Sequence, residues 1–293
     1  MVAHRHLGTK RFLGGCAALA AALAAMLPAG GCFEHREAPR RLVTATNLAE
    51  AVRLRETVEQ LNLAGAVIER LPDELARMPR LERLLLRGGR AGDLAVLPRL
   101  TGLRRLDLAA TGLTTVPEPL LAMPSLEQLY LAENRLTDLP PAIGALGGLT
   151  YLNLDRNALT NLPPEIGRLA SLRWLRLNHN RLEALPAEIG GLPALQRLYA
   201  SHNELGALPE TLANCAALED LALAGNRIAE IPAALTQLGS LRNLDLRGNP
   251  ITRLPADLSG WTGLRTLMLT GCGIAAEEQQ RLRNALPRCL LLF

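Results

Sequence analysis

One sequence pattern recurs at a nearly constant interval along most of this 293-residue chain. The copy from Leu149 to Ser171 reads LTYLNLDRNALTNLPPEIGRLAS, and the next copy begins directly after it. Ten copies, numbered here as coils 1 to 10, begin at Val58, Leu81, Leu103, Leu126, Leu149, Leu172, Leu195, Leu218, Leu241 and Leu264. Only the interval between Leu81 and Leu103 differs, by being one residue shorter than the others. So constant a period is typical of a solenoid, in which each coil buries its apolar face against its neighbours.

Each copy begins with a segment in which apolar and polar residues alternate. In coil 5, Leu152 and Leu154 alternate with Tyr151, Asn153 and Asp155, which predicts a short strand with one buried face. The return segment contains Pro163 and Pro164, and adjacent prolines make a long helix unfavourable there.

An asparagine follows the predicted strand in six consecutive coils. An amide side chain can donate to one backbone and accept from another, so stacked asparagines satisfy buried polar groups at the turns. The predicted ladder consists of Asn134, Asn157, Asn180, Asn203, Asn226 and Asn249.

The pattern LxxLxLxxNxLxxLPxxIxxL resembles the typical class of leucine-rich repeats, as in the Ras-interacting group, over residues 58–274. The resemblance implies an α/β solenoid that curves as a right-handed superhelix. Parallel strands would lie on its concave face, short irregular or helical segments on its convex face, and caps at both ends. Since no catalytic constellation and no phosphate-binding glycine loop is evident, we predict a non-enzymatic scaffold without a cofactor.

The N-terminal segment differs from the repeats in composition. Arg5, Lys10 and Arg11 precede an apolar run over residues 12–27, which is typical of an export signal. Ala29-Gly30-Gly31-Cys32 follows and resembles a bacterial lipoprotein box. We therefore predict a signal peptide over 1–31, a lipidated Cys32, a spacer over 32–43 and a membrane-anchored protein facing the periplasm or the cell surface. A soluble secreted protein and, if the signal is misassigned, an intracellular signalling scaffold are the alternatives.

Both ends of the array are predicted to be capped. Asn47 and Glu50 have the spacing of a capping box, so a helix is expected within residues 44–57. Residues 275–293 form the predicted C-terminal cap, with a helix over 275–285 that ends before Pro287. The first three coils lack the ladder asparagine, and we expect this end to be looser or to bend differently.

Charge and cysteine content exclude little beyond a nucleic-acid partner. The chain has 32 basic and 28 acidic residues, and three of the basic ones lie in the predicted signal. The remaining charges are nearly balanced and interspersed, which does not favour nucleic acid. Cys215 replaces a core leucine of other coils, whereas a disulfide between Cys272 and Cys289 is left open.

Polar and aromatic side chains are concentrated at the predicted concave positions of coils 4 to 7. All three tyrosines and one of the two tryptophans fall there, although aromatic residues are only 3% of the chain. Large rigid aromatic groups beside arginines are typical of interface hot spots. The predicted partner-binding residues are Tyr130, Glu133, Tyr151, Asn153, Asp155, Arg156, Trp174, Arg176, Asn178, His179, Arg197, Tyr199 and His202.

Three kinds of ligand are conceivable on this surface. A protein or peptide is the leading hypothesis, bound by a monomer, and a glycan or peptidoglycan strand stacked on the aromatic rings is the alternative. His179 and His202 lie one period apart and could bind a metal with Asp155 or Glu133, but no metal site is predicted. Ser201 beside His202 does not make a hydrolytic constellation, since neighbouring strand residues point apart.

Overall fold

A computed structural model describes residues 42–293, which form a single compact unit. The predicted signal peptide, Cys32 and most of the predicted spacer lie outside the described residues. Within residues 42–293, no helix is long and apolar enough to cross a membrane.

The alternating segments of the coils form the strands of one large parallel sheet. In coil 5, Leu152 and Leu154 are fully buried while Tyr151 and Asn153 lie half-buried on the opposite face. The predicted strands and the solenoid are therefore confirmed. The strands of this sheet are β1 Thr44–Ala45, β2 Gln60–Asn62, β4 Arg83–Leu85, β6 Arg105–Asp107, β7 Gln128–Tyr130, β8 Tyr151–Asn153, β9 Trp174–Arg176, β10 Arg197–Tyr199, β11 Asp220–Ala222, β12 Asn243–Asp245, β13 Thr266–Met268 and β14 Leu290–Leu292. All twelve lie in the sheet in chain order, each hydrogen-bonded to the next.

Short 3₁₀-helices form the return side of most coils. In coil 5 the helix follows Pro163, whose extended backbone precedes the first helical turn, and Ile166 is its buried residue. Proline favours this extended-to-helical transition because its ring fixes φ and it has no N–H to satisfy. The 3₁₀-helices are Asp73–Arg77, Leu97–Arg99, Glu118–Ala122, Pro141–Ala145, Pro164–Arg168, Ala187–Gly191, Glu210–Asn214 and Ala233–Gln237.

The asparagine ladder makes the same hydrogen bonds in every coil that contains it. Asn180 Nδ2 donates to the carbonyls of Leu154 and Leu177, both at 3.0 Å, and its Oδ1 accepts from the Leu159 N–H at 3.1 Å. Each asparagine thus joins its own coil to the preceding one. Thr111 and Cys272 stand at the ladder position of coils 3 and 10, where their side chains donate to the carbonyls of Leu108 and Leu246.

The first two coils differ from the rest, as their sequences suggested. Their return segments form a second parallel sheet of β3 Val67–Arg70 and β5 Arg90–Asp93. Gly89 and Gly92 permit this pairing, because a Cβ on either would lie 2.0 Å from the Ala66 carbonyl oxygen or 2.3 Å from that of Glu69. The two glycines of coil 2 therefore allow a close backbone approach rather than a loose array.

Helix α1, Leu48–Arg53, lies before coil 1. Asn47 is its N-cap and accepts a hydrogen bond from the Glu50 N–H at 2.9 Å. The Glu50 carboxylate bonds back to the N–H of Thr46 at 2.8 Å, one residue earlier than a standard capping box would place it. Hydrogen bonding from Thr46 lowers the pKa of the Glu50 carboxyl.

Helix α2, Ala276–Ala285, closes the other end, and β14 adds a final strand parallel to β13. Glu278 is buried, accepts the Leu254 N–H at 3.0 Å and pairs with Arg281 at 2.8 Å. Arg281 also donates to the carbonyls of Leu254, Pro255 and Ala256. This network joins α2 to the return segment of coil 9.

The cysteines among residues 42–293 are free. Cys215 is buried in the core, and its burial raises the pKa of its thiol to about 11. Cys272 and Cys289 are half-buried and form no disulfide in this structure.

Candidate binding surface on the concave face

The first and third residues of each strand project from the outer face of the twelve-stranded sheet, and the strand register stacks them in two rows. One row contains Tyr151, Trp174 and Arg197, which are direct partners on β8, β9 and β10. The other contains Tyr130, Asn153, Arg176 and Tyr199 on β7 to β10.

The aromatic rings contact one another across these strands. Tyr130 and Tyr151 have ring centroids 4.8 Å apart, and Tyr151 and Trp174 are 5.8 Å apart. Arginines extend the run, since the Arg105 guanidinium lies 4.5 Å from the Tyr130 ring and that of Arg197 lies 4.3 Å from Trp174. We call this run of Arg105, Tyr130, Tyr151, Trp174 and Arg197 the aromatic row. Rings supported in this way are held in fixed positions before any ligand arrives.

Two ion pairs fix Arg197 of the aromatic row and the neighbouring Arg176. Arg197 pairs with Asp220 at 3.0 Å, and Arg176 pairs with Asp155 at 2.6 Å while lying 5.7 Å from the Tyr199 ring. Burial raises the pKa of the Tyr199 hydroxyl, and the charge of Asp220 adds to this effect. Tyr199 therefore remains a neutral hydrogen-bonding group at physiological pH.

Asp155 and Asn178 were predicted to contact a partner, but the structure places them in a second ladder. Asp155 is only 8% exposed, and its Oδ1 accepts the Asn178 N–H at 2.7 Å. Asn178 Oδ1 accepts the Ser201 N–H, and Ser201 Oγ accepts the Ala224 N–H. These side chains therefore satisfy backbone donors of the next coil, and Asp155 also positions Arg176. Contact of Asp155 or Asn178 with a partner stays a prediction.

A third row follows the strands, and its backbone conformation is left-handed in every coil. Glycine occupies this position in coils 1, 2, 8, 9 and 10, with φ between 65° and 79°. Coils 3 to 7 have other residues at φ values of 54° to 58°: Ala110, Glu133, Arg156, His179 and His202. We call these ten positions, one in each coil, the left-handed row. A left-handed backbone costs an L-residue roughly 1–2 kcal/mol, so side chains retained there are expected to have a role.

The two histidines of the left-handed row form a stacked pair. Their ring centroids are 4.5 Å apart with an angle of 8° between the planes. The His202 ring also lies over Gly225, because a Cβ at Gly225 would be 2.8 Å from His202 Nδ1. Burial, together with the charges of His202 and Arg156, lowers the pKa of the His179 imidazole.

The predicted residues thus divide into two neighbouring groups and a remainder whose side chains bond within the solenoid, namely Asn153, Asp155 and Asn178. Sequence reasoning missed Arg105, Asp220 and Gly225, although each lies one or two periods from a predicted site residue and so in the same row. Glu133 is engaged by Arg87, two coils away, at 3.2 Å. Asn153 accepts the Asp155 N–H and donates to the Tyr151 hydroxyl, so it supports the surface from within.

The geometry of the histidine pair does not favour a metal site. The nitrogen lone pairs of two stacked rings lie in separate, nearly parallel planes and do not converge, whereas two imidazoles on one zinc ion converge at about 2.0–2.1 Å. The described part of the chain contains no group of three His, Cys, Asp or Glu side chains that could hold a metal.

Family models match this chain along much of the solenoid. A leucine-rich repeat region matches residues 142–226, and leucine-rich repeat models match residues 101–159 and 240–261. A curved parallel sheet with one strand and one asparagine per coil is the structure that this class of repeat builds. The chain belongs to the leucine-rich repeat proteins.

Solved structures with the same fold come from bacteria and plants. A leucine-rich repeat protein of Leptospira interrogans is 27% identical with a TM-score of 0.54, and the match covers 86% of this chain and 76% of that one. The ectodomain of the Arabidopsis thaliana receptor kinase GASSHO1/SCHENGEN3, solved with CASPARIAN STRIP INTEGRITY FACTOR 2, is 27% identical with a TM-score of 0.59. That match covers 86% of this chain but only 38% of the receptor.

A second plant structure is similar to the same extent. The plant peptide hormone receptor RGFR1, solved with RGF2, is 25% identical with a TM-score of 0.59, and the match covers 85% of this chain and 49% of the receptor. The matches thus span less than half of either plant receptor chain. A comparison with curated proteins found no match.

The left-handed row predicts opposite effects for two small substitutions. Ala110→Gly should raise the free energy of unfolding by about 1 kcal/mol, because glycine adopts this backbone without steric strain. Gly248→Ala should lower it by a similar amount, since the added Cβ meets only an ordinary contact at 3.7 Å and imposes the backbone cost alone. Urea unfolding measures both, and unchanged midpoints in the two variants would contradict the strain argument.

Proposed function

We propose that this chain is a non-enzymatic scaffold of the bacterial cell envelope that binds a protein or peptide on its concave face. The observation that supports this most directly is the aromatic row, in which three rings and two guanidinium groups are held in contact across five adjacent strands. Tyr, Trp and Arg dominate interface hot spots because they offer large contact areas at a low entropic cost.

The dimensions of the surface favour an extended ligand. Strands lie about 4.8 Å apart, so the four strands β7 to β10 span roughly 15 Å. Such a surface is open along the sheet and suits a peptide segment or a protein loop better than a small metabolite, which needs an enclosing pocket. The two plant receptors with the same fold were solved with the ligands that their names state, which is consistent with this assignment.

Guanidinium groups cover faces of the aromatic rings, and this favours a protein ligand over a glycan. Sugars stack on free aromatic faces, but a guanidinium lies over one face of Trp174 and another over one face of Tyr130. Tyr151 contacts both of these rings with tilted geometry. Side chains of a protein partner can instead fill the spaces between such groups with mixed polar and apolar contacts.

The assignment to the envelope rests on the N-terminal sequence. Basic residues, an apolar run over 12–27 and small residues before Cys32 support export and lipidation of that cysteine. The scaffold is proposed to be non-enzymatic because Ser201, the one nucleophile adjoining a histidine of this surface, has its Oγ bonded to the Ala224 N–H.

A pull-down with matched variants tests the binding proposal. The patch variant combines Tyr151→Ala, Trp174→Ala and Tyr199→Ala, and the control combines Gln60→Ala, Arg83→Ala and Thr266→Ala on the same face outside the aromatic row. After crosslinking to envelope extract, wild type and control should retain the same protein, which the patch variant should lose with at least a 30-fold drop in affinity. Identical retention by all three proteins, at equal thermal stability, would refute the proposed site.

A further inference from the structure

The left-handed row contains three consecutive side chains that the aromatic row does not use: Arg156, His179 and His202. All three are exposed, and their backbone N–H groups bond to the carbonyls of Asn178, Ser201 and Ala224 in the next coil. The backbone N–H groups of these residues are therefore satisfied by carbonyls of the next coil. The side chains are free to serve another purpose.

Five other coils have glycine at this position, because glycine adopts the left-handed backbone without steric strain. Three successive coils accept a left-handed arginine or histidine instead, and Gly225 in the following coil leaves room for the His202 ring. A side chain at position 225 would collide with that ring, so the array accommodates the histidine stack by having no side chain next to it. The backbone strain thus applies to all three side chains, and the clearance at Gly225 applies to His202.

The charges around the three side chains leave a local excess of positive charge. Asp155 is neutralised by Arg176, and Glu133 by Arg87. Toward the C-terminus, Ala224 and Gly225 carry no charge, and Arg247 is held by Asp245 in a bidentate pair. No hydrogen bond or ion pair joins the Arg156 side chain to another residue within the described range 42–293.

We propose that Arg156, His179 and His202 form a subsite that binds the carboxylates of an acidic peptide segment, with an affinity that increases as the pH falls from about 7.5 to about 5.5. This inference rests on the proposed function, since it describes a chemical feature of the ligand that the concave face binds. Arg156 supplies a permanent charge and a two-pronged donor, and the histidines add charge when protonated.

The histidine stack explains the direction of the pH dependence. Neutral imidazoles stack without repulsion, whereas two imidazolium rings at 4.5 Å repel each other and Arg156 repels both. Burial and then this repulsion keep the pKa of His179 below its ordinary value in the free protein, against the opposing effect of the Asp155 charge. A bound carboxylate opposes the repulsion, so binding takes up protons and is favoured at lower pH.

The test uses the full chain with ¹³C-labelled histidine and an acetylated, amidated hexaglutamate peptide as the probe. Single variants His179→Asn and His202→Asn assign the two imidazole signals, since asparagine tolerates a left-handed backbone. We expect hexaglutamate to shift both signals, to raise the pKa of His179 and to bind at least threefold more tightly at pH 5.5 than at pH 7.5. An equal response to hexaglutamine, no response at all, or pH-independent binding would overturn the proposal.

Further variants separate this subsite from the rest of the surface. Arg156→Asn should weaken hexaglutamate binding at both pH values, and the double variant His179→Asn, His202→Asn should abolish only the pH dependence. Arg135→Asn removes one exposed positive charge outside the three-residue subsite and should have no effect. The Tyr151, Trp174 and Tyr199 patch variant should still bind hexaglutamate. Failure of the subsite is therefore distinguishable from failure of the proposed function, which the pull-down tests by itself.

Discussion

Replacement of Asn180 by alanine is expected to lower the free energy of unfolding by about 3–5 kcal/mol. Asn180 is 8% exposed, and its amide satisfies the carbonyls of Leu154 and Leu177 and the N–H of Leu159. Alanine would leave the Leu159 N–H without a partner, whereas the carbonyls of Leu154 and Leu177 would each lose one of two donors and keep Asn157 or Asn203. A buried polar group without a partner costs about 1–3 kcal/mol and each lost hydrogen bond about 0.5–1.5 kcal/mol, and the sum places this substitution among the most damaging in the chain.

Asn161→Ala provides the matched control for the ladder. Asn161 is an exposed asparagine in the return segment of coil 5, so the same chemical change there should alter stability by less than about 0.5 kcal/mol. Urea unfolding measures the two free energies. Hydrogen exchange should show that Asn180→Ala opens the Leu159 amide and its neighbours first, because coils are stabilised by adjacent coils. Equal midpoints for the two variants would mean that the ladder does not stabilise the array.

Replacement of Trp261 by alanine is expected to cost a similar amount, about 3–5 kcal/mol. Trp261 is 2% exposed and its Nε1 donates to the Leu235 carbonyl at 2.9 Å. It occupies the position that leucine takes at residues 146, 169, 192 and 238, in a coil whose return segment has no 3₁₀-helix. The indole thus fills volume that regular coils fill with a helical turn, and its removal creates a large cavity.

The variant Trp261→Leu tests whether stability depends on the volume of the indole or only on an apolar side chain at this position of coil 9. Leucine restores the residue type of the other coils but leaves part of the indole space empty and removes one of the two donors to the Leu235 carbonyl, which keeps the Leu238 N–H. Its loss of stability should fall between that of Trp261→Ala and zero. Unfolding in urea, followed by the fluorescence of the remaining Trp174, ranks the three proteins. A leucine variant as stable as wild type would show that the ordinary coil structure forms there without the indole.

Much of the fold could be predicted because the repeat itself is a tertiary constraint. Leu152 and Leu154 had to face a core once the period required stacked coils, and Asn157 had to satisfy the turn between them. The caps were recognisable from Asn47 and Glu50 and from the helix before Pro287. The second sheet of coils 1 and 2 was not foreseen, because it depends on the close approach of Gly89 in coil 2 to the Ala66 carbonyl in the adjacent coil 1.

The candidate site could be predicted in outline and not in its chemistry. Counting in steps of one period places Tyr151 beside Trp174 and His179 beside His202, and the strand register confirms the first of these neighbours. The same counting could not separate Asp155, which is buried beneath Arg176, from Arg156, which is exposed next to it. Adjacent residues differ in this way because the chain turns between them, and a repeat pattern does not reveal a dihedral angle.

The repeat pattern was sufficient to predict the number of coils, the face that each leucine buries and the position of the asparagine ladder. These follow from a period that leaves only one way to bury every apolar residue. The availability of polar side chains to a ligand could be judged only from the folded chain. Asp155 and Asn178 accept backbone N–H groups, whereas His179 and His202 extend from a left-handed backbone that glycine would adopt more easily. The physical reason is that availability depends on hydrogen bonds and torsion angles between coils, which become definite only when neighbouring coils pack.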